Sequence, residues 1–198
     1  MTDRPLDDIL ADLKGAIHHF VAGGFMPVTE IVDQAVEYLG DDVSPESIRG
    51  LTEQMTRKEI DKHRKDQETW PRVTDCDRLD AAFADLESKG ILARQDYSCC
   101  GTCGAAEIWE ELKEGIEAGK PIRGYTFYHQ QDTDLAVDGG GVYLNYGASE
   151  NDEEDIAAIA QEVITELRRH GLKPEWPGTL DKRIAVPLVW QRRGPVSG

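Results

Sequence analysis

The sequence predicts an α+β protein: a helical N-terminal region followed by a mixed β-sheet with helices packed on one face. Three observations carry this expectation. Up to about residue 89, apolar residues recur at three- and four-residue steps, the period of a helix with one buried side. From Ile91 onward, short apolar or aromatic runs alternate with further helical patterns, which suits strands layered with helices. Glycine- and proline-bearing junctions separate the segments.

Each element follows in order. Leu6, Ile9, Leu10, Leu13, Ile17 and Phe20 form one stripe of a first helix that Gly23-Gly24 ends. A second helix carries Ile31, Val32, Ala35, Val36 and Leu39. Ser44-Pro45, a cap and a first-turn proline, opens a third through Ile48, Leu51 and Met55. Its continuation from Arg57 to Glu68 mixes both charge signs and reads as an exposed helix end. Thr74 with Asp77 resembles a capping box, starting a helix with Cys76, Leu79, Ala82, Phe83 and Leu86 on one face. Strands are expected at Ile91–Tyr97, Tyr125–His129, Val142–Tyr146, Lys173–Trp176 and Ile184–Trp190, with Pro187 marking an edge or bulge. Between them fall helices through Ala105–Ile116, a short one over Asp132–Val137, and one from about Asp152 to His170, whose Arg168 and Arg169 complement its C-terminal dipole. The expected boundaries are residues 1–73 for the helical region, 74–191 for the α+β domain, and 192–198 for a flexible tail.

Composition narrows the function classes. The net charge of −16 is spread along the chain, so the surface repels phosphate backbones and anionic membranes. Neither a nucleic acid nor a membrane is an expected partner; a protein partner and a homodimer stay open. No apolar run approaches bilayer-spanning length, and the polar, acidic N-terminus lacks a secretion pattern, so a cytoplasmic location is expected.

The chain has four cysteines, and three of them fall within Cys99-Cys100-Gly101-Thr102-Cys103-Gly104, between a strand-like and a helix-like segment. In a reducing compartment such thiols serve metal binding, redox chemistry or packing rather than a disulfide framework. The C-x-x-C-G spacing lets two thiolates grip one zinc ion while the glycine lets backbone amides turn toward sulfur. Further donors are then needed. Cys99, Cys100, Cys103 and His129 form the candidate metal set, with Cys76 and His63 in reserve; the cofactor stays open, zinc being one that the spacing allows. Cys76 lies in the apolar stripe of its helix and reads as a small buried hydrophobe. The same placement, strand then C-x-x-C then helix, also suits a thiol–disulfide oxidoreductase in which Cys100 attacks and Cys103 resolves. Against that stand Glu107, Glu110 and Glu111 in the first turns of the helix. A third class is an interaction module whose cysteines only pack.

Other motifs have plainer accounts. Asp132, Asp134 and Asp138 do not match an EF-hand and read as helix caps and turns. The run Gly139-Gly140-Gly141 opens no helix, so it makes no phosphate loop. Adjacent His18 and His19 diverge around their helix and chelate poorly.

The stretches Arg94–Tyr97 with Cys99–Gly104, Gly124–Asp132, Gly139–Leu144, and Trp176, Gly178 and Asp181–Ile184 together resemble a family of uncharacterised bacterial proteins, a domain of unknown function. The resemblance spans about Leu79 to Trp190. It implies that these segments form one domain, and it implies no reaction, cofactor or site residue. The sequence thus points to an uncharacterised cytosolic bacterial protein with a metal-binding or regulatory role centred on the cysteines. Whether it is an enzyme stays open.

Overall fold

The computed structural model describes residues 4–40, 43–150 and 152–194. These residues form α1 (Leu6–Gly23), α2 (Val28–Tyr38), α3 (Pro45–Gln67), α4 (Asp75–Ser88), β1 (Ile91–Arg94), α5 (Gly101–Glu117), β2 (Gly124–Phe127), α6 (Gln130–Val137), β3 (Val142–Ala148), α7 (Glu153–Arg169) and β4 (Ile184–Val186). The chain divides into two compact units, Met1–Arg72 with Gln191–Gly198, and Val73–Trp190. No helix among the described residues is long and apolar enough to cross a membrane.

The first unit is a three-helix arrangement. Its core joins Ile9, Leu13, Ile17 and Val21 of α1 to Ile31, Ala35 and Val36 of α2 and to Ile48 and Ile60 of α3. Each such Ile, Leu or Val side chain, once fully buried, stabilises by about 1.5–3 kcal/mol relative to exposure. Leu6, the first residue of the sequence stripe, is exposed, so the buried face begins a turn later at Ile9. The described part of the expected tail is tethered here. The Arg192 guanidinium lies over the Phe25 ring at 4.2 Å, and the Arg192 carbonyl lies 3.1 Å from His63 Nε2. Arg193 donates to the Pro71 carbonyl at 2.5 Å. Residues 195–198 lie outside the described residues.

The second unit is built on a four-stranded sheet of order β1-β2-β3-β4. β1 and β2 are parallel, joined through α5, while β2–β3 and β3–β4 are antiparallel. The α+β class and the mixed sheet are therefore as the sequence predicts. α4 and α7 form the layer on one face, where Ile159 of α7 crowds Gly124 of β2. α5 adds a layer on the other face, over Leu92 and Phe127, through Ile108 and Leu112. The sign of this second layer is the unbroken burial of Ile91, Leu92 and Ala93, since a strand covered on one side alone would alternate.

Local chemistry sets the ends of these elements. Thr74 and Asp77 form the expected capping box: the Asp77 amide donates to Thr74 Oγ1 at 3.1 Å and the Thr74 amide to Asp77 Oδ2 at 2.8 Å. Asp152 accepts from the amides of Glu154 and Asp155 to start α7. α6 starts two residues earlier than predicted because the His129 ring caps it, its Nδ1 accepting the Asp132 amide at 3.3 Å. β4 ends at Val186, since Pro187 has no amide proton to extend a ladder. In place of the strand expected at 173–176 there is one bridge, between Glu175 and Ala185. At the open edge of the sheet, the Ala93 amide donates to Glu87 Oε1 at 2.6 Å, which blunts the edge against pairing.

Candidate functional site

Because β1 and β2 run parallel, their C-terminal ends open on the same side, where α5 and α6 both begin. In sheets of this kind that side is where sites collect. The segment leaving β1 is fastened to the segment leaving β2. Tyr97 donates its amide to the Tyr128 carbonyl at 2.9 Å, and Gln130 donates its amide to the Ser98 carbonyl at 3.1 Å. Thr133 Oγ1 donates to Asp96 Oδ1 at 2.6 Å. Within this segment Asp96 and Ser98 take positive φ values of 52° and 61°, uncommon for residues with a β-carbon. Such strain persists only where neighbouring bonds hold it, and it gathers at functional sites.

The strained loop delivers the three cysteines to the start of α5. All four cysteines of the chain are free thiols, with Cys99 and Cys103 exposed, Cys100 half-buried and Cys76 buried. The sulfurs of Cys99, Cys100 and Cys103 all lie within 4.8 Å of one another. Cys100 occupies the N-cap position of α5 without a capping hydrogen bond from its side chain. The backbone amides of Cys103 and Thr102 still face its sulfur and, with the neighbouring thiols, lower its pKa. Sharing hydrogen bonds with Cys99 and Cys100 has the opposite effect on Cys103, pushed up to about 11. The cluster therefore holds one readily ionised sulfur beside a reluctant one.

His129, the fourth residue of the expected metal set, sits close by without joining the sulfurs. A β-carbon placed on Gly101 would lie 3.6 Å from its ring, so the imidazole flanks the first turn of α5. Its nitrogens are otherwise engaged. Nδ1 accepts the Asp132 amide, and Nε2 lies 3.1 Å from Asp132 Oδ2 and 3.2 Å from Arg183 Nη1. Burial lowers the His129 pKa, the Asp132 carboxylate opposes this, and Arg183 adds to the lowering. Asp132 is buried and receives Arg183 Nη1 on both oxygens, at 3.1 and 3.0 Å. Arg183 also lies over the Tyr143 ring at 5.2 Å. Nothing in the local sequence marks Arg183 as a neighbour of this site, because it arrives from the start of β4.

A second group of donors is Asp85, Glu166 and His170. Here cations already balance the carboxylates. Glu166 is 1% exposed and pairs with Lys89 and Arg169, while Asp85 pairs with Arg169 and with His170 Nε2 at 2.7 Å. We read this cluster as an ion-pair network joining α4 to α7. Burial alone would raise the Glu166 pKa, but hydrogen bonds from Lys89 and Arg169 outweigh it and hold the carboxyl below its ordinary value of 4.5. A carboxyl with a depressed folded pKa contributes stability that is present above the unfolded value and lost as pH falls through the folded one. Thermal stability of the wild type should therefore fall below about pH 4.5, and Glu166→Gln should show a shallower fall. At pH 7 that variant should lose about 1–2 kcal/mol, because both cationic partners are half-exposed and stay solvated. Melting curves from pH 7 to pH 3 check this; parallel pH profiles for the two proteins would refute it.

What the fold and site define together is an α+β protein presenting three clustered thiols at a helix start. The chain belongs to the family described as Domain of unknown function (DUF6891), whose model matches residues 7–194. The match thus takes in the N-terminal helices as well as the stretches that carry the resemblance in the sequence. Comparison with curated proteins and with solved structures gives no match.

Proposed function

We propose that this protein binds a thiophilic metal ion, zinc foremost, through Cys99, Cys100 and Cys103, and acts as a metal-binding or regulatory protein. The observation that carries this reading is the mutual approach of three sulfurs to within 4.8 Å, with Cys99 and Cys103 exposed. Two thiolates on one tetrahedral zinc stand about 3.8 Å apart, given zinc–sulfur bonds of about 2.3 Å. The sulfurs therefore need to close by about 1 Å at most. Soft thiolates select zinc or monovalent copper over magnesium or calcium, and the donor set fits such an ion. When bound, the ion would supply a fixed positive charge that keeps all three sulfurs ionised. The positive end of α5 and the amides facing Cys100 favour the same ionisation. Plain packing describes Cys76, 2% exposed in its helix stripe, better than it describes the exposed Cys99 and Cys103.

Metal analysis of untagged protein, purified under reducing conditions and equilibrated with zinc, tests this. About one zinc per chain should be retained by the wild type and lost in Cys100→Ala and Cys103→Ala, with circular dichroism unchanged. A folded wild type that retains no zinc would overturn the reading.

The contrast between Cys100 and Cys103 favours a second reading, thiol–disulfide exchange. The Cys100 thiolate would attack a substrate disulfide, forming a mixed disulfide and releasing one substrate thiolate. Cys103, once deprotonated, would then attack Cys100, releasing the second substrate thiolate and leaving a Cys100–Cys103 disulfide. Trapping of a mixed disulfide by Cys103→Ser in the metal-free protein separates this from metal binding.

A further inference from the structure

We infer that an ion held by Cys99, Cys100 and Cys103 keeps its fourth coordination position open to solution, and that this position takes an exchangeable external thiolate. The inference rests on the metal-binding reading above and adds what the site would do with its ion.

The argument begins with the groups near enough to close the shell. His129 flanks α5, but its Nδ1 lone pair accepts the Asp132 amide and its Nε2 faces Asp132 Oδ2 and Arg183. Turning this ring toward the sulfurs would uncap α6 and take the imidazole away from the buried Asp132 carboxylate, leaving Arg183 there alone among the described side chains. Glu107 stands one helical turn beyond Cys103, yet its Oε1 accepts from Ser98 Oγ at 3.0 Å. Asp96 accepts from Thr133 Oγ1 across the loop. Cys76 is sealed in the stripe of α4. Of the described acid, histidine and cysteine donors, none joins the three sulfurs within the 4.8 Å that unites them.

The loop cannot easily swing to recruit one of these groups. It is pinned on both sides of Ser98 by the Tyr97–Tyr128 and Gln130–Ser98 backbone bonds, and its two positive-φ residues depend on that pinning. Meanwhile Cys99 and Cys103 face solvent, so the free side of the ion would face solvent too.

The donor set then decides what fills the gap. Structural zinc sites are closed by four protein ligands, and open ones use the remaining position for chemistry or exchange. Three thiolates carry more negative charge than zinc carries positive, so the bound ion is a weak Lewis acid. A water on it is acidified far less than on an ion held by neutral histidines, which disfavours hydrolysis. A soft external donor competes better: a thiol RSH displaces the water, its proton passes to solution, and the ion is left with four sulfurs. From that state each further external thiol can replace one protein thiolate and hand it its proton, so the step that completes the shell is also the first step of passing the ion on to external thiols.

The probe is Co2+, loaded into the reduced full-length protein and titrated with 2-mercaptoethanol. The visible cobalt bands should shift saturably, reaching an end point at one added thiol per cobalt while the oligomeric state by light scattering stays that of the metal-free protein. Glu107→Gln should give the same starting spectrum and the same shift. Cobalt binding with bands indifferent to added thiol would overturn the inference and leave the metal-binding reading standing. So would a dimer formed on loading, with a second copy supplying the fourth sulfur, or a starting spectrum altered by Glu107→Gln. Failure of the wild type to bind cobalt would overturn both.

Discussion

Gly90→Ala should lower the stability of the protein by about 2–5 kcal/mol, a large part of the 5–15 kcal/mol that holds a domain together. Gly90 follows Lys89, the C-cap residue of α4, adopts φ +79°, and leads straight into β1. An alanine forced into that left-handed region costs about 1–2 kcal/mol. Its β-carbon would also land against the Pro121 carbonyl oxygen, well inside van der Waals contact. That obstacle is backbone, and it cannot turn aside. The Gly90 carbonyl accepts the Arg123 amide at 2.8 Å, so a shift at either residue loosens the first rung between β1 and β2. We expect the collision to add about 1–3 kcal/mol, as overpacking generally does. Gly139→Ala is the control: φ there is +91°, but nothing lies within 4 Å of its β-carbon, so only the backbone cost applies. Urea unfolding of the two variants should separate the two terms. Equal midpoints would show that the approach of the Pro121 carbonyl to Gly90 contributes nothing.

The helices were legible because their signals are local. The stripes of α1, α2 and α7 repeat every three or four residues, and the Thr74–Asp77 box is complete within four positions. The clustering of three sulfurs was legible for a similar reason: the cysteines are sequence neighbours, so no long-range folding had to be guessed to bring them together. What escaped depends on distant pairs. The second helix layer is written only in the unbroken burial of Ile91–Ala93, which a short apolar run does not distinguish from a one-sided strand. The surroundings of His129 needed Asp132 from α6 and Arg183 from β4. Histidine is also not among the favoured N-cap residues, so its capping of α6 had no sequence signature. The sequence offers His129 as a donor only on condition that the fold brings it close, and its engagement with Asp132 and Arg183 was beyond reach of spacing.

Gly104→Val ties the core to the cysteines and should impair both at once. Gly104 lies in the first turn of α5, facing the sheet, where a β-carbon would come within 2.6 Å of Phe127 Cε2 and 3.1 Å of Cζ. Phe127 is fully buried among Leu92, Ile108 and Leu112, so its ring has little room to retreat. The start of the helix must lift instead, and Cys103 is the residue beside it. Valine gains a little helix propensity over glycine, less than 1 kcal/mol, whereas the overpacking costs about 1–3 kcal/mol, so the collision wins. We therefore expect lower stability together with a loss of zinc affinity on the order of tenfold or more, the effect usual when the support of a metal ligand is disturbed. Adding Phe127→Leu should restore much of both, because the smaller side chain vacates the space the valine needs. Stability and zinc affinity measured on the two variants decide the matter. Full zinc affinity in a destabilised Gly104→Val would mean that the thiols hold their geometry without the helix seated on Phe127, and that the loop from Asp96 to Cys100 positions them alone.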